Sequence, residues 1–355
     1  MLIGLCGGLC AGKHEVANYL VQEHSFQVLT MKTPAPELSI GAIHSKDDDS
    51  AFISRNGVPS STVFDEHGRG AICFFSADDL LDYVTKRWRD RFITTDIRDE
   101  RVLELLLCRP FFILVSVDAP VSVRWKRYKN RCEAQSLTAP TLEEFVLKSD
   151  VHMYHPTHGL ASLVQRATIR LLNPTESITT LHTKLKELNL TNEERLRPTW
   201  DAYFMQIASL AAQRSNCMKR RVGAVVVREK RVISTGYNGT PRGLVNCNEG
   251  GCRRCNSGDI SGIGLNTCFC LHAEENALLE AGKERVGGGA ILYCDTCPCL
   301  TCSVKIVQVG ISEVVYSQSY SMDTETSRVL SEGGVRLRQF CPPLDGLVNL
   351  CDLSD

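Results

Sequence analysis

The segment His272-Ala273-Glu274 is followed, 24 residues after the glutamate, by Pro298-Cys299-Leu300-Thr301-Cys302, and no other feature constrains the chain so tightly. His272, Cys299 and Cys302 offer three nitrogen or sulfur ligands to Zn²⁺. They leave one tetrahedral position open for water, which is the arrangement of a catalytic rather than a structural zinc. Two thiolates and a neutral imidazole balance the charge of the metal, which lowers the pKa of its water from 15.7 towards about 7. Cys299 and Cys302 sit three apart at the start of an expected helix, with both sulfurs near its positive end, a position that favours thiolate over thiol. Glu274 lies on the same first helical turn as His272, close enough to reach a bound water without binding the metal, and suits a general acid–base. Cys294 and Cys297 form an overlapping pair, and Pro298 directs the choice to Cys299 and Cys302.

Cysteine usage agrees with metal binding. Of 17 cysteines, ten fall between Cys217 and Cys302, mostly in tight pairs. A disulfide framework belongs to small secreted chains. The start, Met1-Leu-Ile-Gly-Leu-Cys-Gly-Gly, has no basic segment before an apolar one and does not read as a signal peptide. No run approaches the roughly 18 apolar residues of a membrane span. The expectation is a reducing compartment, the cytoplasm with the nucleus as the alternative, and no membrane partner. Lys and Arg number 40 against 41 Asp and Glu, for a net charge of -1. A polynucleotide-binding chain usually shows a basic excess, so a small-molecule partner is favoured over nucleic acid.

A length of 355 residues with 43% hydrophobic content suggests two packed domains. Residues 1–172 read as an α/β unit: a strand at Met1–Cys6, a glycine-rich turn, a helix near Lys13–Glu23 and a buried strand at Phe111–Val117. Ile40–Gly70 reads as a long loop, and Ser122–Arg131 as a basic helix. Residues 173–198, polar and holding Pro174 and Pro198, read as a linker with a short amphipathic stretch at Leu181–Leu188. Residues 199–345 alternate helices and strands around a cysteine-rich loop, which implies a layered α/β/α sheet.

With these residues in view, the second half resembles deoxycytidylate deaminases, particularly the fungal type. The resemblance runs from about Trp200 to Phe340. It includes Arg214-Ser215-Asn216-Cys217, Val222-Gly223-Ala224-Val225, Gly236-Tyr237-Asn238-Gly239-Thr240-Pro241 and Val315-Tyr316-Ser317-Gln318-Ser319-Tyr320, besides the zinc motifs. The combination of H-x-E with P-C-x-x-C is itself a signature of zinc nucleobase deaminases. The resemblance implies a cytidine-deaminase-like fold that hydrolyses dCMP to dUMP and ammonia, supplying thymidylate synthesis. In that chemistry Glu274 takes the proton of the water, delivers it to ring N3 and later protonates the departing amine. It also implies that Asn238 contacts the sugar, that Tyr320 lies near the phosphate, and that the enzyme is a homo-oligomer, commonly a hexamer. Nucleotide effectors are implied too: dCTP, with Mg²⁺, activating and dTTP inhibiting. Cys247, Cys252, Cys255, Cys268 and Cys270, with Cys217, are candidates for a second, structural zinc, and which four bind is left open. Arg220 and Arg221 suit a phosphate, although a solvated basic run is the commoner use of such a pair.

In the first half, Gly7-Gly8-Leu9-Cys10-Ala11-Gly12-Lys13 fits a phosphate-cradling loop between strand and helix. His14 stands where the Mg²⁺-binding hydroxyl belongs. This half resembles P-loop nucleotide and dephospho-coenzyme A kinases in degenerate form, with Arg124, Lys126, Arg127 and Arg131 similar to their lid. Its readings are an active kinase, with Asp96 or Asp99 serving a metal, a phosphate-binding regulatory unit, or a structural remnant. For the whole chain two alternatives stand beside dCMP: another amine substrate (a pterin or riboflavin precursor, or a tRNA base), and a non-catalytic zinc-stabilised nucleotide-binding scaffold.

Overall fold

The computed structural model describes residues 1–31, 70–175, 177–258, 267–319, 324–341, 343 and 346–350. The chain forms two compact units, Met1–Arg197 joined by the C-terminal strand, and Pro198–Pro343. No helix among the described residues is long and apolar enough to cross a membrane.

The first unit runs β1 (Leu2–Gly7), α1 (Lys13–His24), β2 (Gln27–Met31), β3 (Ile72–Phe74), α2 (Ala77–Lys86), β4 (Phe92–Thr94), α3 (Glu100–Leu107), β5 (Phe112–Asp118), α4 (Val121–Ala134), α5 (Leu142–Tyr154), α6 (Ala161–Arg166), β6 (Ile169–Leu172) and α7 (Ile178–Leu188). Its sheet has the order β12-β6-β5-β1-β4-β2-β3 with every pair parallel, β12 being Gly346–Asn349. The central strands are apolar on both faces because both are covered. Ile3, Leu5, Ile113, Val115 and Val117 feed one core, and Leu2, Cys6, Phe112 and Leu114 feed the other.

Two expectations change here. Residues 173–198 are not a free linker, since α7 buries Leu181 and Leu185 in the first unit's core beside Val16 and Leu20. The second unit also stops short of residue 345, because Gly346–Asn349 pairs with β6. The loop expected at Ile40–Gly70 lies outside the described residues apart from Gly70.

The second unit runs α8 (Trp200–Gln213), β7 (Gly223–Arg228), β8 (Arg231–Tyr237), α9 (Arg253–Asn256), α10 (Ala273–Val286), β9 (Ile291–Thr296), α11 (Leu300–Val309), β10 (Glu313–Gln318), α12 (Thr324–Glu332) and β11 (Arg336–Gln339). The sheet order is β11-β10-β9-β7-β8. β9, β10 and β11 are parallel, and β7 runs against both β8 and β9. Alternation along the strands makes three layers. Ala224, Val226, Leu292 and Val314 face the core that includes α10 and α11, while Val225, Val227, Tyr293 and Val315 face Phe204 and Ala208 of α8.

Five helices here start on a good cap: Ser76, Asp99, Thr141, Ser177 and Thr199 each accept a backbone N–H from the first turn. Helices α10 and α11 start instead at His272 and Cys299, whose side chains cap nothing. Helix α10 also lies unusually close to β8. A Cβ on Gly236 would fall 2.1 Å from the Ala273 carbonyl oxygen and 2.4 Å from the Ala277 nitrogen, so the strand and the helix backbone touch. We predict that Gly236→Val costs at least about 1–3 kcal/mol of stability through overpacking. A urea unfolding midpoint equal to that of the parent would show that this contact is not required.

Candidate active site and metal centres

Strand β9 delivers the chain to Cys299, and β8 turns back towards His272, so the uncapped starts of α10 and α11 meet. The Nδ1 atom of His272 lies 3.4 Å from the sulfurs of both Cys299 and Cys302. All three donor atoms fall within 4.8 Å of one another. A tetrahedral Zn²⁺ with Zn–N of about 2.0–2.1 Å and Zn–S of about 2.3 Å needs an N···S edge of about 3.6 Å. The three donors therefore fit zinc without rearrangement and leave a fourth position open. The positive ends of two helices point at the thiolates, which lowers the cost of holding them.

The charges support this. Cys302 and His272, with the Thr301 hydroxyl 3.1 Å away, hold the Cys299 thiol low, at about 3. Cys302, which shares its proton with that thiolate, is pushed up in turn. The Cys299 sulfur raises His272, so a proton competes with metal for the ring. Glu274 is 4% exposed, and burial pushes its carboxyl up to about 7. A carboxyl poised there exchanges protons readily near neutral pH.

The surroundings hold these groups in place. The Asn238 carboxamide accepts the Ala273 N–H at 2.8 Å and donates to the Arg220 carbonyl at 3.2 Å, so it serves as the missing cap of α10. Its own carbonyl takes the Ser215 hydroxyl at 2.7 Å. Asn276 donates to the Tyr237 carbonyl, and Ser303 to that of Cys299. Cys294 and Cys297 are buried with their thiols pushed up by burial, and neither lies among the metal-type groups. Tyr320 lies outside the described residues.

Sequence reading passed over two features of this unit. A polar cleft of 310 Å³ is lined by Arg214, Ser215, Asn216, Arg221 and Tyr237 among others. Asp295 is buried, accepts the Gly223 N–H on Oδ2, and has no hydrogen-bond partner on Oδ1. Arg214-Ser215-Asn216 was visible as a run and Arg221 as a phosphate candidate, but nothing in their spacing placed them around one cleft. In the cysteine-rich loop, Cys217, Cys247, Cys252, Cys255, Cys268 and Cys270 converge as one buried cluster.

In the first unit, Gly7 (φ 137°) and Gly12 (φ 106°) take left-handed conformations in the loop that leads to Lys13 and α1. A cavity of 220 Å³ beside it is lined by Lys13, His14, Asp96, Arg98, His152 and His158 among others. The expected lid arginines are used otherwise. Arg124 is buried against the Ala119 carbonyl and the Ser149 hydroxyl, and Arg127 donates to the Cys10, Ala11 and Asn173 carbonyls. Asp99 caps α3 rather than waiting for a metal, and Asp96 pairs with Arg98 at 3.2 Å.

The raised Glu274 carboxyl gives a pH prediction for protein stripped of the catalytic metal. Folding lifts this group from 4.5 to about 7, so the folded state keeps a proton that the unfolded state releases. Its contribution is intact below about pH 4.5 and is lost as pH rises through about 7. Glu274→Gln should therefore stabilise the metal-stripped protein at pH 8, by on the order of 3 kcal/mol, and leave it nearly unchanged at pH 4.5. Equal gains in denaturant unfolding at both pH values would refute the assignment.

The model of the cytidine and deoxycytidylate deaminase zinc-binding region matches residues 198–318. The deoxycytidylate deaminase of Schizosaccharomyces pombe is 51% identical over 343 residues, covering 96% of this chain and 98% of that protein. The deoxycytidylate deaminase of Saccharomyces cerevisiae is 51% identical over 274 residues, 74% of this chain and 85% of that protein. A solved structure of the dCMP deaminase of cyanophage S-TIM5 in complex with dCMP and dUMP is 33% identical, covers 39% of this chain and 94% of its own, and has a TM-score of 0.32. Matched almost end to end by a relative at this identity, the chain belongs to the deoxycytidylate deaminase family.

Proposed function

We propose that the second unit catalyses the zinc-dependent hydrolysis of dCMP to dUMP and ammonia. The observation that carries this reading is the open three-donor set of His272, Cys299 and Cys302 with the buried carboxyl of Glu274 beside it. A zinc ion bound there supplies acidity to water and keeps a position for it. The Glu274 carboxylate takes a proton from the water that attacks ring C4 and passes it to N3. It then takes the proton of the new C4 hydroxyl and gives it to the amine that leaves from C4, so that water and substrate together account for every atom of dUMP and ammonia. Asn238 holds the start of α10, and with it His272 and Glu274, through the Ala273 amide. Its remaining amide hydrogen is available to a substrate sugar, and Tyr320 is assigned to the phosphate end by family resemblance. The cleft with Arg214 and Arg221 offers cationic groups of the kind a nucleotide phosphate needs.

The reading extends to the first unit as a phosphate-binding regulatory domain of P-loop kinase type. Support comes from strand order, with β1 between β4 and β5 and the Gly7–Lys13 loop at the carboxyl end of β1, where α/β sheets bind ligands. His14 in place of a hydroxyl argues against phosphoryl transfer. Activation by dCTP with Mg²⁺, inhibition by dTTP and hexameric assembly complete the proposal on family resemblance.

Ultraviolet absorbance of dCMP with the full-length protein tests the reaction directly, with and without dCTP and Mg²⁺. The cytosine band should decline as dUMP appears. Glu274→Gln should keep zinc and fold while kcat falls by about 10²–10⁴-fold. Loss of a different amine from a substrate panel would move the assignment to that substrate. Full activity of Glu274→Gln would remove Glu274 as the proton carrier, and no turnover of any amine by folded, zinc-loaded protein would leave the scaffold reading.

A further inference from the structure

We propose that the cysteine-rich loop holds two metal ions in a binuclear zinc–thiolate cluster, with Cys255 and Cys270 bridging both. Cys217 and Cys247 complete one tetrahedron, and Cys252 and Cys268 complete the other. This goes beyond the deaminase reading and does not depend on turnover.

The argument starts from the sharing pattern. Two groups of four sulfurs, each within 4.8 Å of one another, are present: Cys217, Cys247, Cys255 and Cys270, and Cys252, Cys255, Cys268 and Cys270. The two groups overlap in Cys255 and Cys270. A single ion closes its shell with four thiolates. It would leave two further sulfurs packed against a full site, with nothing in the geometry to choose one quartet over the other. Two ions use all six sulfurs, and each metal then has two unshared and two shared thiolates.

Four of the sulfur–sulfur edges already have the length this requires. For Zn–S of about 2.3 Å, the edge of a tetrahedron is about 3.8 Å. The sulfur separations are 3.8 Å for Cys217–Cys255, 3.9 Å for Cys252–Cys268, 3.6 Å for Cys255–Cys268 and 3.9 Å for the shared pair Cys255–Cys270. Packed thiols also meet near these lengths, so the edges show that metal fits, and the overlap of the quartets counts the ions. None of these separations is near the roughly 2.05 Å of a disulfide.

Six thiolates against two dications leave an excess of negative charge, and donors surround the cluster to offset it. The backbone N–H groups of Met218 and Phe269 point at the Cys247 and Cys252 sulfurs, each at 3.4 Å. The Asn256 amide reaches Cys247 at 3.8 Å, and the Arg254 guanidinium reaches Cys268 at 3.9 Å. Such outer contacts orient and stabilise metal-bound sulfur. The packing calls for metal as well. Between β8 and α10, the described residues bury a cluster that consists of cysteines alone, so the loop has no aliphatic core to order it. The cluster also anchors the active site, because Cys270 is followed by Leu271, which exchanges backbone hydrogen bonds with Gly239, and then by His272.

The test is metal counting by native mass spectrometry on the full-length chain, loaded with zinc and desalted, beside its His272→Ala variant. Three zinc ions per chain in the parent and two in the variant are expected, matching one three-donor and two four-donor groups. Two and one would overturn the binuclear cluster in favour of a single structural ion. Two in both would support the cluster while removing the catalytic zinc. The bridge is tested on the unmodified chain by exchange with ¹¹³Cd²⁺. Two cadmium resonances split by mutual scalar coupling are expected, and uncoupled resonances would overturn shared thiolates.

Discussion

The arrangement around the active site depends on one constraint: three nitrogen and sulfur donors must take three corners of one tetrahedron while the fourth corner stays open. Helices α10 and α11 satisfy it by starting at His272 and Cys299, positions where five other helices of this chain place serine, threonine or aspartate. Their unsatisfied amide ends then face the site and favour thiolate there. Stability given up at the caps returns when metal binds, since the charge that would repel two neighbouring thiolates becomes the charge that holds them. Asn238 supplies part of the lost capping from outside the helix, which leaves the His272 ring free for metal.

Burial of Glu274 follows from the same geometry. A residue two positions after the ligand, on the first turn of a helix pressed against β8, has no route to solvent. Desolvation raises its carboxyl to about 7, a value suited to taking and returning protons. The closeness of Gly236 to α10 therefore matters for chemistry as well as packing, because a displaced helix moves His272 and Glu274 together. Beyond the helix start, Leu271 ties the chain to Gly239, and Cys270 belongs to the sulfur cluster. Strand, helix and cysteine-rich loop thus form one mechanical unit.

Much of the architecture was legible in local pattern. The apolar runs at Leu2–Gly7 and Phe112–Asp118 were readable as buried strands because both faces of each are covered. The metal ligands were legible because zinc chemistry limits residue type and spacing. Local pattern failed where a residue's partner lies far away in sequence. Prolines and polar residues made 173–198 resemble a linker, yet Leu181 and Leu185 are four apart on α7 and fill the first unit's core. Arg124 and Arg127 looked like part of a kinase-type lid, but they hold carbonyls and a hydroxyl. The pairing of Gly346–Asn349 with β6 spans the whole second unit and leaves no local signature.

The sequence by itself determined the chemistry: a histidine, two cysteines and a glutamate at set spacings name a metal, an open position and a proton carrier. Residue type and short-range spacing suffice for that, because each helix start brings its own donors. Tertiary structure alone decided how six further cysteines, Cys217, Cys247, Cys252, Cys255, Cys268 and Cys270, are grouped. Their sulfurs come from segments as far apart as Cys217 and Cys270, and only folding sets which two lie in both quartets. It also decided that Asn238 caps α10, since the hydrogen bond from the Ala273 amide crosses 35 residues. Distances of that kind are set by how layers pack, and a linear pattern does not carry them.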